Sequence, residues 1–130
     1  MPLDVPTPLS GLRILVLEDE ALIALDVEQL CRDNGAGEVA IASNLREAQQ
    51  ASQPYDAAII DVMLDGEPTF DFARSLEAAG VPFVFASGYD QLDEIFKGFP
   101  DVTLVSKPYA GDDLVEAVAQ SIRKLARSAG

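Results

Sequence analysis

The 130-residue sequence contains no histidine. That excludes histidine general-base catalysis, histidine metal sites and serine–histidine triads within this chain. There is a single cysteine, Cys31, so no intramolecular disulfide can form and a disulfide-stapled secreted scaffold is excluded. Cys31 falls in a helical pattern and reads as a small core residue. Basic residues are scarce: 9 Lys and Arg stand against 22 Asp and Glu, for a net charge of −13. Such a balance argues against nucleic acid or an anionic membrane as a direct partner, because gripping phosphates requires a basic face. No apolar run is long enough to span a bilayer. The opening Met1-Pro2-Leu3-Asp4-Val5-Pro6 lacks the basic and apolar regions of a signal peptide. A cytoplasmic location is the expectation that remains.

What is present suits one soluble domain. The length allows one real core and not two, and 48% hydrophobic with 24% charged residues is ordinary for a globular chain. Residues 1–10 carry three prolines and little periodicity, so a loose N-terminal arm is expected there, followed by a folded unit over 11–127 and a tail over 128–130. Short apolar strands are expected at 13–17, 39–42, 57–62, 83–86 and 102–105. Helical patterns follow each of them. The first has Ile23, Val27, Leu30 and Cys31 on one face and stops at Asn34-Gly35. The second opens on Asn44 and Glu47, spaced as a capping box, and stops at Pro54. Asp65-Gly66-Glu67-Pro68 reads as a loop, with Pro68 suited to the first turn of the third helix, which ends at Gly80. A short, weak helix is expected over 91–97, and a long amphipathic one from Asp112 to about Arg127. Strand followed by helix, five times over, implies an α/β fold with a parallel sheet and right-handed crossovers. The expectation is a flavodoxin-like (βα)5 doubly wound sheet of five strands in the order 2-1-3-4-5.

The carboxyl ends of those strands collect the chemistry. The first ends in Glu18, Asp19 and Glu20, the third in Asp61, the fourth in Ser87 and the fifth in Lys107. Each alone has an ordinary explanation: acids at a helix start, turn formers, a solvated lysine. On one edge of a doubly wound sheet they converge, and the set reads as a site. Clustered carboxylates repel and cannot all ionise cheaply without a cation. Oxygen donors without histidine or cysteine favour a hard ion, most simply Mg2+. Such a site suits phosphoryl transfer, which needs in-line positioning and charge neutralisation. Asp61 would be the nucleophile forming an acyl phosphate, with Lys107 and Ser87 contacting the phosphoryl oxygens.

From Leu12 to Leu125 the sequence resembles a response-regulator receiver domain. Leu-Glu-Asp-Glu, Ile-Ile-Asp-Val-Met-Leu, Ala-Ser-Gly and Ser-Lys-Pro-Tyr stand in that family's order at fitting distances. The resemblance implies that Asp61 accepts a phosphoryl group from the phosphohistidine of a sensor histidine kinase or a histidine phosphotransfer protein. It also implies that Glu18, Asp19, Asp61 and the backbone carbonyl of Met63 hold Mg2+, and that the bond preceding Pro108 is cis.

The sequence departs from the common pattern at the switch. Typical receivers carry an aromatic residue three positions before the lysine; here that position is Leu104. Strand four instead reads Phe-Val-Phe-Ala-Ser-Gly-Tyr, similar to a receiver subgroup marked by Phe-Ala-Thr-Gly and a nearby tyrosine, often paired with kinases of stress or related sensory pathways. Switching is then expected through Ser87 and Tyr89 rather than through strand five. Leu22 and Leu25 lie off the buried stripe of the first helix and are candidate partner contacts. With no output domain expected after the last helix, output would be contact with a downstream protein, or the domain would act as a phosphoryl relay or sink; a homodimer is compatible with the sequence. Two rivals stand. A non-phosphorylated interaction module would have no use for the charge cluster. A Mg2+-dependent aspartyl phosphatase would need a second acid two residues after the nucleophile, where this chain has Met63.

Overall fold

A computed structural model describes residues 8–50, 54–87, 95, 97–99, 102–106 and 111–129. In chain order the elements are β1 (Arg13–Leu17), α1 (Ala21–Asp33), β2 (Glu38–Ala42), α2 (Leu45–Gln50), β3 (Ala57–Asp61), β4 (Met63–Leu64), β5 (Glu67–Pro68), α3 (Phe70–Ala79), β6 (Phe83–Ser87), β7 (Thr103–Ser106) and α4 (Gly111–Ala129). Five strands form one sheet in the order β2-β1-β3-β6-β7, every pairing parallel. Counted without the short β4 and β5, that is the expected 2-1-3-4-5. The fold is α/β and flavodoxin-like.

Strand alternation sorts the core into two layers. Ile14 and Val16 of β1, Ala57 and Ile59 of β3, and Val84 of β6 pack with Val27 and Cys31 of α1 and Leu114 and Val118 of α4. Leu15, Leu17, Ala58, Ile60 and Phe85 face the other way, against Ala48 of α2 and Ala73 and Leu76 of α3. All five residues of β3 are buried, Asp61 included. This is why β3 is a continuous apolar run and not an alternating one. The second layer is aromatic: Phe70, Phe83, Phe85 and Phe99 meet mostly edge to face, and the Arg74 guanidinium lies 4.9 Å above the Phe99 ring. Leu104 is partly buried against this layer.

Helix boundaries follow the local signals. α1 ends where Asn34 folds back onto Leu30 and Cys31 and Gly35 takes a φ of 99°. α3 ends on Gly80 in the left-handed region. The Asn44 side chain accepts the Glu47 N–H (2.9 Å), while the Glu47 carboxylate accepts both the N–H and the hydroxyl of Ser43 (2.7 Å each). The capping box is present, with its return bond moved one residue upstream. These two Ser43 bonds hold the Glu47 carboxyl below its usual range. Cys31 is buried, and desolvation pushes its thiol up to about 11.

Three expectations change. Within the stretch 1–10, expected to be a loose arm, Leu9 is fully buried in the first core layer, and its N–H donates to the Asn34 carbonyl at 3.0 Å. An apolar side chain just before a buried strand gains by filling the space beside it. The loop at 65–68 is a β-hairpin, Met63–Leu64 pairing antiparallel with Glu67–Pro68. Asp65 and Gly66 take φ values of 51° and 80°, as a two-residue Asp-Gly turn demands. Pro68 therefore ends β5, and α3 begins only at Phe70. Of the short helix expected over 91–97, helical backbone is described at Ile95, Lys97 and Gly98, with the remainder outside the described residues. Among the described residues no helix is long and apolar enough to cross a membrane.

Candidate functional site

Sheet register brings the predicted acids to one edge. Leu17 lies opposite Ile60, so Glu18 and Asp61 follow side by side where β1 and β3 end. On the far side of β3, Asp61 pairs with Ala86, and Ser87 then pairs with Ser106 at the end of β7. The period of two that sends Ile14, Val16, Ala57 and Ile59 towards α1 and α4 continues to Glu18 and Asp61 and sets them on that same side of the sheet. Both are buried, at 2% and 3% exposure. A carboxylate at that depth is costly unless charge or hydrogen bonds compensate it, which separates these two from surface turn formers.

The carboxylates of Glu18, Asp19 and Glu20 place one oxygen each within 4.8 Å of one another. Glu18 Oε2 accepts the Glu20 N–H at 3.1 Å, fixing the turn from β1 into α1. The Glu18 N–H is itself tied to the Ala42 carbonyl of β2 (3.1 Å). This donor set fits a hard divalent cation such as Mg2+: the ligand atoms are all carboxylate oxygens, close together at the mouth of a sheet, with neither thiolate nor imidazole among them. Glu20, absent from the ligand set implied by resemblance, belongs to the cluster.

The hairpin closes the other side. The Asp65 N–H, at its tip, donates to Asp19 Oδ2 at 2.9 Å. At its base the Thr69 N–H donates to the Val62 carbonyl at 2.9 Å. The Thr69 hydroxyl sits 2.6 Å from the Asp61 carbonyl oxygen and 3.1 Å from that of Val62. Met63, on the first hairpin strand, is 41% exposed.

The structure thus gathers Glu18, Asp19 and Asp61 at one edge and ends β6 on Ser87 beside them. Lys107, Pro108 and Tyr89 lie outside the described residues. Leu22 and Leu25 stand on the outer face of α1 at 79% and 56% exposure, away from the buried Ala24, Val27 and Cys31. Sequence reasoning missed the hairpin and Thr69. The Asp-Gly pair is a strong short-hairpin signal and could have given the first. A threonine before a helix reads simply as a cap, so the second had no signal of its own.

No family model matches the chain. Among curated proteins it is 26% identical over 117 residues to the transcriptional regulatory protein PdtaR of Mycobacterium tuberculosis, covering 86% of this chain and 57% of that protein. The chain therefore spans little more than half the length of this relative. Among solved structures it superposes on the PhyR stress response regulator with a TM-score of 0.75 at 28% identity, over 90% of this chain and 47% of that one. The receiver domain of a Francisella response regulator matches with a TM-score of 0.73 at 21% identity, over 88% of this chain and 98% of that one. With the sheet order and the placement of the acids, these likenesses give the chain the fold of a response-regulator receiver domain.

Proposed function

We propose that this chain is the phosphoryl acceptor of a two-component relay, with Asp61 as the acceptor. The observation that carries the reading is the buried Asp61 at the carboxyl end of the central strand, in register with Glu18 and beside the acidic turn. A carboxylate oxygen of Asp61 attacks phosphorus in line. The P–N bond to the donor imidazole breaks, its electron pair stays on the imidazole nitrogen, and an acyl phosphate forms on Asp61. Glu18, Asp19, Asp61 and the Met63 carbonyl would hold Mg2+, which supplies charge neutralisation when bound. Burial of Asp61 excludes competing water, and its strand fixes the attack direction. Lys107 and Ser87 neutralise and orient the phosphoryl oxygens, as the resemblance implies, and the bond before Pro108 would be cis.

The donor is a sensor histidine kinase or a histidine phosphotransfer protein in the cytoplasm, with Leu22 and Leu25 at the contact. Switching runs through Ser87 and Tyr89, since Leu104 offers no aromatic to swing. Likeness to PhyR, described as a stress response regulator, supports a stress or related sensory role. The chain assists its own phosphorylation and is not a turnover enzyme. Acetyl phosphate with Mg2+, followed by intact-mass measurement, should add one phosphoryl group to the wild type and none to Asp61→Asn. No uptake by the wild type would favour an unphosphorylated interaction module. Steady hydrolysis of small phosphomonoesters would favour a phosphatase.

A further inference from the structure

We infer that Thr69 is a positioning residue for Asp61: its buried hydroxyl fixes the acceptor's own peptide group, an inference that rests on Asp61 being the phosphoryl acceptor. Thr69 precedes α3 at the place where a threonine ordinarily caps the helix through its side chain. It makes no side-chain cap bond. Its carbonyl accepts the Ala73 N–H at 2.9 Å, as a cap residue's backbone should. Its hydroxyl turns back instead to the Asp61 carbonyl (2.6 Å) and the Val62 carbonyl (3.1 Å), and the residue is fully buried.

The Asp61 carbonyl and the Val62 N–H belong to one planar peptide unit. The N–H end donates to the Ala86 carbonyl of β6 at 3.3 Å, and the carbonyl end is held by Thr69. That unit cannot rotate without breaking a buried bond on either side, so the Cα–Cβ direction of Asp61 is set from the peptide that follows it. The same residue closes the 63–68 excursion, whose tip donates to Asp19. One side chain therefore ties the acceptor strand, the hairpin and the start of α3 into a fixed frame. Reaction in line rewards such placement, and small displacements are penalised steeply.

The test compares wild type, Thr69→Val, Thr69→Ser and Asn44→Ala at a temperature where all are folded. The readouts are the rate of phosphoryl uptake from acetyl phosphate with Mg2+ and the hydrogen exchange of the Val62 amide. Thr69→Val should lower the maximal rate about tenfold or more, with a much smaller change in half-saturating acetyl phosphate, and should speed Val62 exchange. Thr69→Ser, which keeps the hydroxyl, should recover most of the rate. Asn44→Ala, the loss of a cap that serves only α2, should leave both readouts at wild-type values. If Thr69→Val does not fold, Thr69→Ala provides the variant without a hydroxyl. A wild-type rate in the hydroxyl-less variant overturns the inference while the acceptor reading stands. So does a Thr69→Ser as slow as Thr69→Val, which would assign the effect to the methyl group. An inert wild type overturns both.

Discussion

Two helix starts, at Asn44 and at Thr69, carry similar sequence signals and use them differently. At α2 the side chains serve the helix: Asn44 accepts the Glu47 N–H and Glu47 answers to Ser43. At α3 the cap hydroxyl leaves the helix uncapped on its side-chain side and bonds to the end of β3. The first follows β2, two strands from β3 in the sheet, and obeys local rules. The second lies beside Asp61 and breaks one. Departures from local preference concentrate where something other than helix stability is being served.

That contrast can be broken or sharpened by substitution. Thr69→Val should destabilise most, by about 1–3 kcal/mol, the cost of leaving a buried polar group short of a partner; urea denaturation would measure it, and a change within error would remove the contrast. Gly66→Ala tests the hairpin that Thr69 closes. Nothing lies within 4 Å of an added Cβ there and φ is +80°, so the loss should be the cost of a left-handed backbone alone, about 1–2 kcal/mol. Asn44→Ala should cost about 1 kcal/mol, visible as a lower Tm, with phosphoryl uptake unmoved. The smallest effect is one of pH. Folding lowers the Glu47 pKa through Ser43. Its contribution is therefore present above the unfolded carboxyl pKa and is lost as pH falls through the folded one. Glu47→Gln should flatten that acid limb in a Tm-against-pH series, and an unchanged limb would mean that the Ser43 bonds do not persist in solution.

Much of the fold was legible because it rests on short-range pattern. Apolar runs at 13–17 and 57–62, glycines at 35 and 80 and the Asn44–Glu47 spacing marked elements that the structure places within a residue or two. The sheet order was legible through strand–helix alternation, which leaves few topologies open. Glu18, Asp19 and Asp61 were legible as strand-end acids. What stayed hidden depends on partners distant in sequence. Asp65 bonds to Asp19 across 46 positions, and Thr69 declines a local cap for a carbonyl eight residues back. Leu9 joins a core whose other members begin at Ile14 and extend to Val118. None of these choices leaves a periodic trace.

Cys31 carries a practical consequence. It is the chain's only thiol, it faces the sheet from α1, and its pKa near 11 leaves little thiolate at neutral pH. An alkylating reagent can therefore modify it only when α1 lifts from the sheet. A single mass increment then acts as a clock for that opening, and running it with and without acetyl phosphate would time how far events at Asp61 loosen or tighten the opposite end of the helix.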